Sequence, residues 1–185
     1  MAARAQKLSR LPGEPSAAAE LAAMLRVDHA GEYGAARIYD GQLAVLADDA
    51  SAPAIRRMRA QEAAHLDAFD RLLAERRVRP TLLSPLWHVA GFLLGAGTAL
   101  LGREAAMAAT VAVEEVIDEH YAHQVERLGD DEPGLRRMLE DFRADERAHR
   151  DVGLRHGAER APAYRPLTAA IRAGTRAAIW LSTRV

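Results

Sequence analysis

Apolar residues recur every three or four positions along four long stretches of the chain. This spacing is typical of amphipathic helices that face a shared core. The predicted helices cover residues 17–48, 51–77, 103–128 and about 131–157. No stretch alternates apolar and polar residues over the length of a strand. The pattern therefore predicts an all-α fold built on a four-helix bundle.

Two Glu-x-x-His motifs interrupt the apolar stripes of the second and fourth helices. They are Glu62 with His65 and Glu146 with His149. A Glu and a His three residues apart lie on one helix face, so the His can bind one metal while its Glu bridges to a second. The surrounding nonapeptides, RAQEAAHLD and RADERAHRD, agree at six of nine positions and lie 84 residues apart.

A single glutamate lies on the inward stripe of each of the other two helices. Glu32 and Tyr39 in the first helix parallel Glu114 and Tyr121 in the third, 82 residues later. Glu115 competes with Glu114, but it points about 100° away from the stripe. The chain therefore consists of two related helical hairpins, each with one lone glutamate and one Glu-x-x-His motif.

Four carboxylates inside a bundle core are unfavourable unless they are paired or bind metal. One glutamate from each of two helices and a Glu-x-x-His motif from each of two others form the ligand pattern of ferritin-like di-iron and di-manganese bundles. Iron or manganese suits these ligands, and zinc remains chemically allowed, although two octahedral ions favour iron. The predicted ligands are Glu32, Glu62, His65, Glu114, Glu146 and His149.

Charge and cysteine content exclude several other classes of protein and of metal site. The 25 Lys and Arg residues nearly balance 26 Asp and Glu residues, so the chain lacks the basic field of a nucleic-acid binder. The absence of cysteine excludes disulfides, thiolate zinc sites and Cys-ligated iron–sulfur clusters. The 185 residues suit a single domain, 1–185. Residues 1–16 lack the apolar core of a secretory signal, and we expect a flexible terminus there, a short transit peptide being the alternative.

Further polar residues lie near the predicted ligands. Asp28 and Asp118 each fall one turn from a lone glutamate and could accept a hydrogen bond from a ligand histidine, the alternative being a partly buried carboxylate with another partner. Tyr121 could line a substrate pocket, relay protons and electrons, or simply pack in the core. We expect His88 at a membrane or helix interface. The other histidines expected at the surface or its boundary are His29, His120, His123 and His156.

Residues 82–102 contain no formally charged side chain. An uncharged segment of this length is a candidate for a transmembrane helix. A true span would separate the two hairpins, so we expect an inserted helix that lies on a bilayer with Trp87 at headgroup level. Residues 167–185 form a basic amphipathic pattern and could add a second membrane contact. The alternative is that both segments cover the bundle or form a dimer interface.

Three strings, LRVDHAGEYGA at 25–35, TVAVEE at 110–115 and APAY at 161–164, resemble the demethoxyubiquinone hydroxylases of ubiquinone biosynthesis. The resemblance implies a ferritin-like, peripheral membrane monooxygenase that uses O₂ to convert 5-demethoxyubiquinol to 5-demethylubiquinol. It assigns the six predicted residues as ligands of two iron ions, with Glu62 and Glu146 bridging. It also matches a His–Tyr pair of that family to His120 and Tyr121.

The same resemblance implies a prenylated quinol and O₂ as substrates. It implies the cytoplasmic face of a bacterial inner membrane, or the matrix side of the mitochondrial inner membrane in a eukaryote. A homo-oligomer or a complex with other ubiquinone-biosynthesis proteins would fit this setting, and a nucleic-acid partner would not. Two other functions stay open from the residues alone: a ferritin-like iron-oxidising protein, and a lipid- or quinone-binding scaffold with a structural metal.

Overall fold

A computed structural model describes residues 15–185, so most of the terminus expected to be flexible, residues 1–14, lies outside the described residues. Six α-helices and one 3₁₀ turn, Ala158–Arg160, make up the described part, which contains no strand. The prediction of an all-α fold is therefore confirmed. The helices are α1 (Ala17–Leu46), α2 (Ala52–Arg76), α3 (Ser84–Leu100), α4 (Arg103–Leu128), α5 (Pro133–Arg155) and α6 (Tyr164–Ser182).

Local chemistry sets the helix ends. The Ser16 hydroxyl accepts the Ala19 N–H at 3.1 Å, which caps the first turn of α1. Gly102 and Gly129 flank α4 and both have positive φ, so the predicted bounds of that helix agree with the structure. The last helix begins three residues earlier than predicted. Pro166 lies in its first turn, where a missing N–H costs nothing.

The helices pack in pairs. α1 packs on α2 and α4 packs on α5, and these four enclose the centre of the molecule. A further layer consists of α3 against α1 and α6 against α4. This all-helical arrangement is consistent with a ferritin-like bundle covered by two additional helices. The inserted segment thus contacts protein along one side.

Glycines bring α3 unusually close to α1. A Cβ at Gly95 would overlap the Ile38 carbonyl oxygen, and one at Gly91 would lie 2.8 Å from the Gly34 carbonyl oxygen. The backbone contact requires glycine at these positions because any side chain would push the helices apart. The opposite side of α3 and its flanks expose large apolar side chains, namely Leu82, Leu86, Val89, Leu93, Leu100 and Leu101.

The described helices include none that is both long and apolar enough to cross a membrane. Trp87 does not project freely as expected for a headgroup anchor. Its ring is half-buried between α3 and α6, and its Nε1–H donates to the Ser182 hydroxyl at 3.0 Å. On the side of α3 that faces α1 and α6, the alternative is correct: the inserted segment covers the bundle.

Candidate metal centre

Six buried residues meet at the centre of the bundle, and none is more than 3 % exposed. Their ligand atoms form two groups, and within each group the atoms lie within 4.8 Å of one another. Glu62 and Glu146 belong to both groups. The first group is Glu32, Glu62, His65 and Glu146, and the second is Glu62, Glu114, Glu146 and His149.

Helical phase decides which glutamate of α4 enters this cluster. Glu114 is buried, and Glu115 points towards α6, where the Arg172 Nε–H donates to it at 2.8 Å. The choice of Glu114 from the apolar stripe agrees with this placement. The cluster therefore contains one lone glutamate from each hairpin.

The cluster carries more negative charge than a dry interior tolerates. Burial and the neighbouring carboxylates raise the pKa of Glu62 and Glu114 well above the usual range. Burial also opposes charge on Glu146, but the imidazoles of His149 and His65, whose Nδ1 atoms lie 3.5 and 3.4 Å from its carboxylate oxygens, outweigh burial and lower its pKa to about 2. His65 shows the reciprocal effect: burial disfavours its charged form, yet Glu146 and Glu32 raise its pKa to about 10. Protons and histidine charge thus offset the carboxylates when no cation is bound.

Several buried atoms of the cluster have no hydrogen-bond partner. They are both carboxylate oxygens of Glu62 and of Glu146, Oε2 of Glu114 and Nδ1 of His149. Buried acceptors without partners are costly, and two divalent cations would satisfy these atoms and balance four carboxylates. Oxygen and imidazole donors suit iron or manganese. The residues present therefore fit a pair of metal ions.

Two buried tyrosines hold the lone glutamates. The Tyr39 hydroxyl donates to Glu114 Oε1 at 2.6 Å, and the Tyr121 hydroxyl donates to Glu32 Oε1. Burial and nearby carboxylates raise the pKa of both phenols well above the usual value, so both remain proton donors. Tyr121 thus contacts a candidate ligand directly. The repeat had paired Tyr39 with Tyr121 but had not indicated this contact.

The outward ring nitrogens of the two histidines have partners that the sequence analysis did not predict. His65 Nε2 lies 3.1 Å from Asp145 Oδ2, and His149 Nε2 lies 3.1 Å from Gln61 Oε1. Gln61 and Asp145 occupy the same position in the two nonapeptides, directly before each motif glutamate. This shared polar position was the only feature of the sequence that could have indicated the histidine partners.

Asp28 and Asp118 were considered as hydrogen-bond acceptors for the candidate ligand histidines, but neither contacts His65 or His149. Asp28 is buried and accepts the Gln124 side-chain N–H at 2.6 Å, with His120 Nε2 at 3.3 Å. Asp118 is half-buried and accepts from Arg143 and Arg147 of α5, so it belongs to an ion pair at the edge of the bundle.

The remaining histidines lie outside both ligand groups. His29 was expected near the surface but is 7 % exposed, and its Nε2 lies 3.0 Å from Asp70 Oδ1. His120 and His156 are half-buried and His123 is exposed, as expected. His88 is at a helix interface, where its Nδ1 lies 2.6 Å from the Tyr33 hydroxyl of α1.

An apolar cavity of about 270 Å³ lies between α1, α3, α4 and α6. None of the residues that line it is charged. Two of the lining residues are close in sequence to residues of the cluster. Ala35 follows Glu32 by three residues, and Val113 directly precedes Glu114. The cavity therefore borders the two helices that carry the lone glutamates.

Residues 19–182 match the family model of ubiquinone biosynthesis protein COQ7. The chain is 59% identical to a 3-demethoxyubiquinol 3-hydroxylase of Rhodospirillum rubrum, over 95% of this chain and 84% of that protein. It is 54% identical to a human mitochondrial NADPH-dependent 3-demethoxyubiquinone 3-hydroxylase, over 88% of this chain and 76% of that protein. It is 40% identical to a mitochondrial 5-demethoxyubiquinone hydroxylase of Saccharomyces cerevisiae, over 91% and 79% of the respective chains.

Proposed function

This chain belongs to the family of ubiquinone biosynthesis protein COQ7 and is a hydroxylating oxidoreductase, and from that premise we propose its substrate and its metal. The substrate is 5-demethoxyubiquinol, which the protein hydroxylates with O₂ to 5-demethylubiquinol. The observation that carries the proposal is a buried carboxylate–histidine cluster beside an uncharged cavity. The family match and the named relatives confirm the resemblance of the sequence to demethoxyubiquinone hydroxylases.

Two iron ions are the proposed occupants of the cluster. Glu62 and Glu146 would bridge them because both belong to each ligand group, and Glu32 and Glu114 would be terminal ligands. When bound, the reduced pair supplies the electrons and the Lewis acidity that activate O₂. The surrounding helices would exclude water from this reaction. The quinol ring would approach the cluster from the side of the cavity.

Tyr121 and His120 are the proposed catalytic pair. The Tyr121 hydroxyl holds a proton at Oη and donates a hydrogen bond to Glu32, so it would position that carboxylate and supply a hydrogen bond beside the reacting oxygen. His120 precedes it and reaches the surface, and its Nε2 lies 2.8 Å from Gln124 Nε2 and 3.3 Å from Asp28. We propose that His120 connects this buried proton donor to solvent.

The uncharged cavity suits the prenyl tail of the quinol. Gly31 and Gly34 of α1 and Gly174 of α6 line it, and a Cβ on any of them would meet no atom within 4 Å. None of the three has positive φ, and glycine costs a helix about 1 kcal/mol relative to alanine. The missing side chains of these glycines therefore widen the cavity.

We propose that the protein lies on a membrane surface from which the quinol reaches this cavity. The outward leucines of α3 and Trp180 of α6, which is 55% exposed, support a lipid contact, and the Arg184 guanidinium lies 3.9 Å over the Trp180 ring. The proposed location is the cytoplasmic face of a bacterial inner membrane, or the matrix side of the mitochondrial inner membrane in a eukaryote. Self-association or another ubiquinone-biosynthesis protein could use the same apolar face.

The proposal is tested by Glu146→Ala with Glu140→Ala as its control. Glu146 belongs to both ligand groups, whereas Glu140 is exposed on the same helix and accepts from Arg136. We expect the first variant to lose iron and hydroxylation together and the second to keep two irons per chain and normal product by mass spectrometry. Normal hydroxylation by Glu146→Ala would refute the assignment. Cells that lack the gene should accumulate demethoxyubiquinone, and an unchanged quinone profile would refute the substrate.

A further inference from the structure

The polar contacts around the cluster cross from one hairpin to the other. Asp145 of the second repeat holds His65 of the first, and Gln61 of the first repeat holds His149 of the second. The Gln61 side-chain N–H also donates to Asp145 Oδ1 at 3.3 Å, which joins the two contacts. The two histidines are therefore held by equivalent positions that carry different residues, a carboxylate and an amide.

A second crossed pair has the same asymmetry. The offset of 82 residues places Asp28 opposite Thr110 and Gln42 opposite Gln124. Gln124 of α4 donates to Asp28 at 2.6 Å, and Gln42 of α1 donates to the Thr110 hydroxyl at 3.2 Å. The glutamines are identical in the two halves, but their acceptors are a carboxylic acid side chain in one half and a neutral hydroxyl in the other.

Both additional acidic residues lie on the same side of the cluster. Asp145 contacts His65, and Asp28 is one helical turn before Glu32. His65 and Glu32 belong to the first ligand group. The second group, which contains His149 and Glu114, has only the neutral neighbours Gln61 and Thr110 at the matching positions. The pseudo-symmetry of the fold is thus broken in one consistent direction.

We propose that the two metal positions are unequal, and that Asp145 makes the position at His65 the tighter one. A histidine that donates its outward N–H to a carboxylate is a more basic ligand than one that donates to an amide. The carboxylate also attracts a cation held on the far side of the ring. Asp145 and Gln61 act here as positioning residues, since they contact the ligand histidines and not the metal. The inference rests on the proposed metal centre.

The test is a titration of the metal-free protein with Co²⁺, followed by visible absorption and competition with a chelator. We expect two binding steps in the wild-type protein. Asp145→Asn should weaken the tighter step by about 10-fold to 100-fold, the range for loss of an outer partner of a metal ligand. Asp67→Asn is the control because Asp67 is an exposed carboxylate two residues after His65. It should leave both steps unchanged.

An exchanged protein, Gln61→Glu with Asp145→Asn, keeps the total charge and preserves an amide–carboxylate pair. Removal of a terminal ligand identifies each position: in the wild-type background Glu32→Ala should abolish the tighter step and Glu114→Ala the weaker. In the exchanged protein these assignments should reverse. Circular dichroism confirms that each variant is folded before titration.

Two equal steps in the wild-type protein would overturn the inference while leaving the metal centre intact. So would an exchanged protein in which Glu32→Ala still removed the tighter step, or an Asp145→Asn titration indistinguishable from that of Asp67→Asn. A wild-type protein that bound no Co²⁺ would instead overturn the proposed centre itself.

Discussion

Gly34→Leu is the sharpest test of the proposed site for the prenyl tail. Gly34 lines the cavity of about 270 Å³, and the position of its missing Cβ has no neighbour within 4 Å. Leucine would place four apolar carbons in space that the tail would otherwise occupy. At about 0.8 kcal/mol for each buried carbon, the tail would lose about 3 kcal/mol of binding, roughly a hundred-fold. Because leucine favours helix over glycine, α1 should remain folded.

The assay compares two substrates, one with a long prenyl tail and one with the same ring and no tail. We expect the KM for the tailed quinol to rise steeply while kcat/KM for the tail-less quinol stays unchanged. Gly134→Leu is the matched control, since Gly134 is an exposed helical glycine of α5 that does not line the cavity. Equal effects on both substrates, or no effect on either, would refute the placement of the tail.

Glu114→Ala should lower bound iron because it removes a proposed terminal ligand, whereas Glu115→Ala should retain iron because the partner of Glu115 is Arg172; metal analysis distinguishes them. Gly95→Ala should lower the free energy of unfolding by about 1–3 kcal/mol because its Cβ meets backbone, and urea unfolding measures this against exposed Gly97→Ala, which should be neutral or stabilising. Metal-free protein should be more stable at pH 5 than at pH 7. The raised pKa values of Glu62, Glu114 and His65 mean that the folded state keeps protons that the unfolded state loses, so thermal melts that rise with pH would contradict this prediction.

The helices were predictable because each long segment has a continuous period of three to four residues. The bounds of α4 agree with the prediction since glycines with positive φ flank that helix, at Gly102 and Gly129. The predicted pattern of the last helix began at residue 167, whereas α6 begins three residues earlier, because a first helical turn accepts Pro166. The apolar period thus located the helices well. It located a helix end accurately only where a residue such as glycine marks that end.

The placement of α3 shows a different limit. Its composition predicted an apolar helix, but two environments suit such a helix equally well. The choice depended on Gly91 and Gly95 meeting the backbone of α1 at Gly34 and Ile38, each contact joining residues 57 positions apart. One face of α3 therefore packs on protein, while the other displays the leucines that support the proposed lipid contact.

Helical phase also placed the six cluster residues inside, since each follows the apolar stripe of its own helix. It did not find Asp145 or Gln61, because those contacts depend on how α2 and α5 face each other across the bundle. Asp28 and Asp118 were reasonable candidates by spacing within one helix. The actual partners come from the neighbouring helix, which a pattern within one helix does not report.

The arrangement of the helices supports one direction of approach for the proposed quinol. α2 and α5 carry the histidines and their outward partners, so hydrogen bonds close that side of the cluster. α1 and α4 carry the lone glutamates, and nearby residues of the same two helices, including Gly34 and Ile117, line the cavity. A substrate in the cavity would therefore reach the metals past Glu32 and Glu114. These are the two proposed ligands that accept hydrogen bonds from tyrosine hydroxyls, which would hold each glutamate in position beside the cavity.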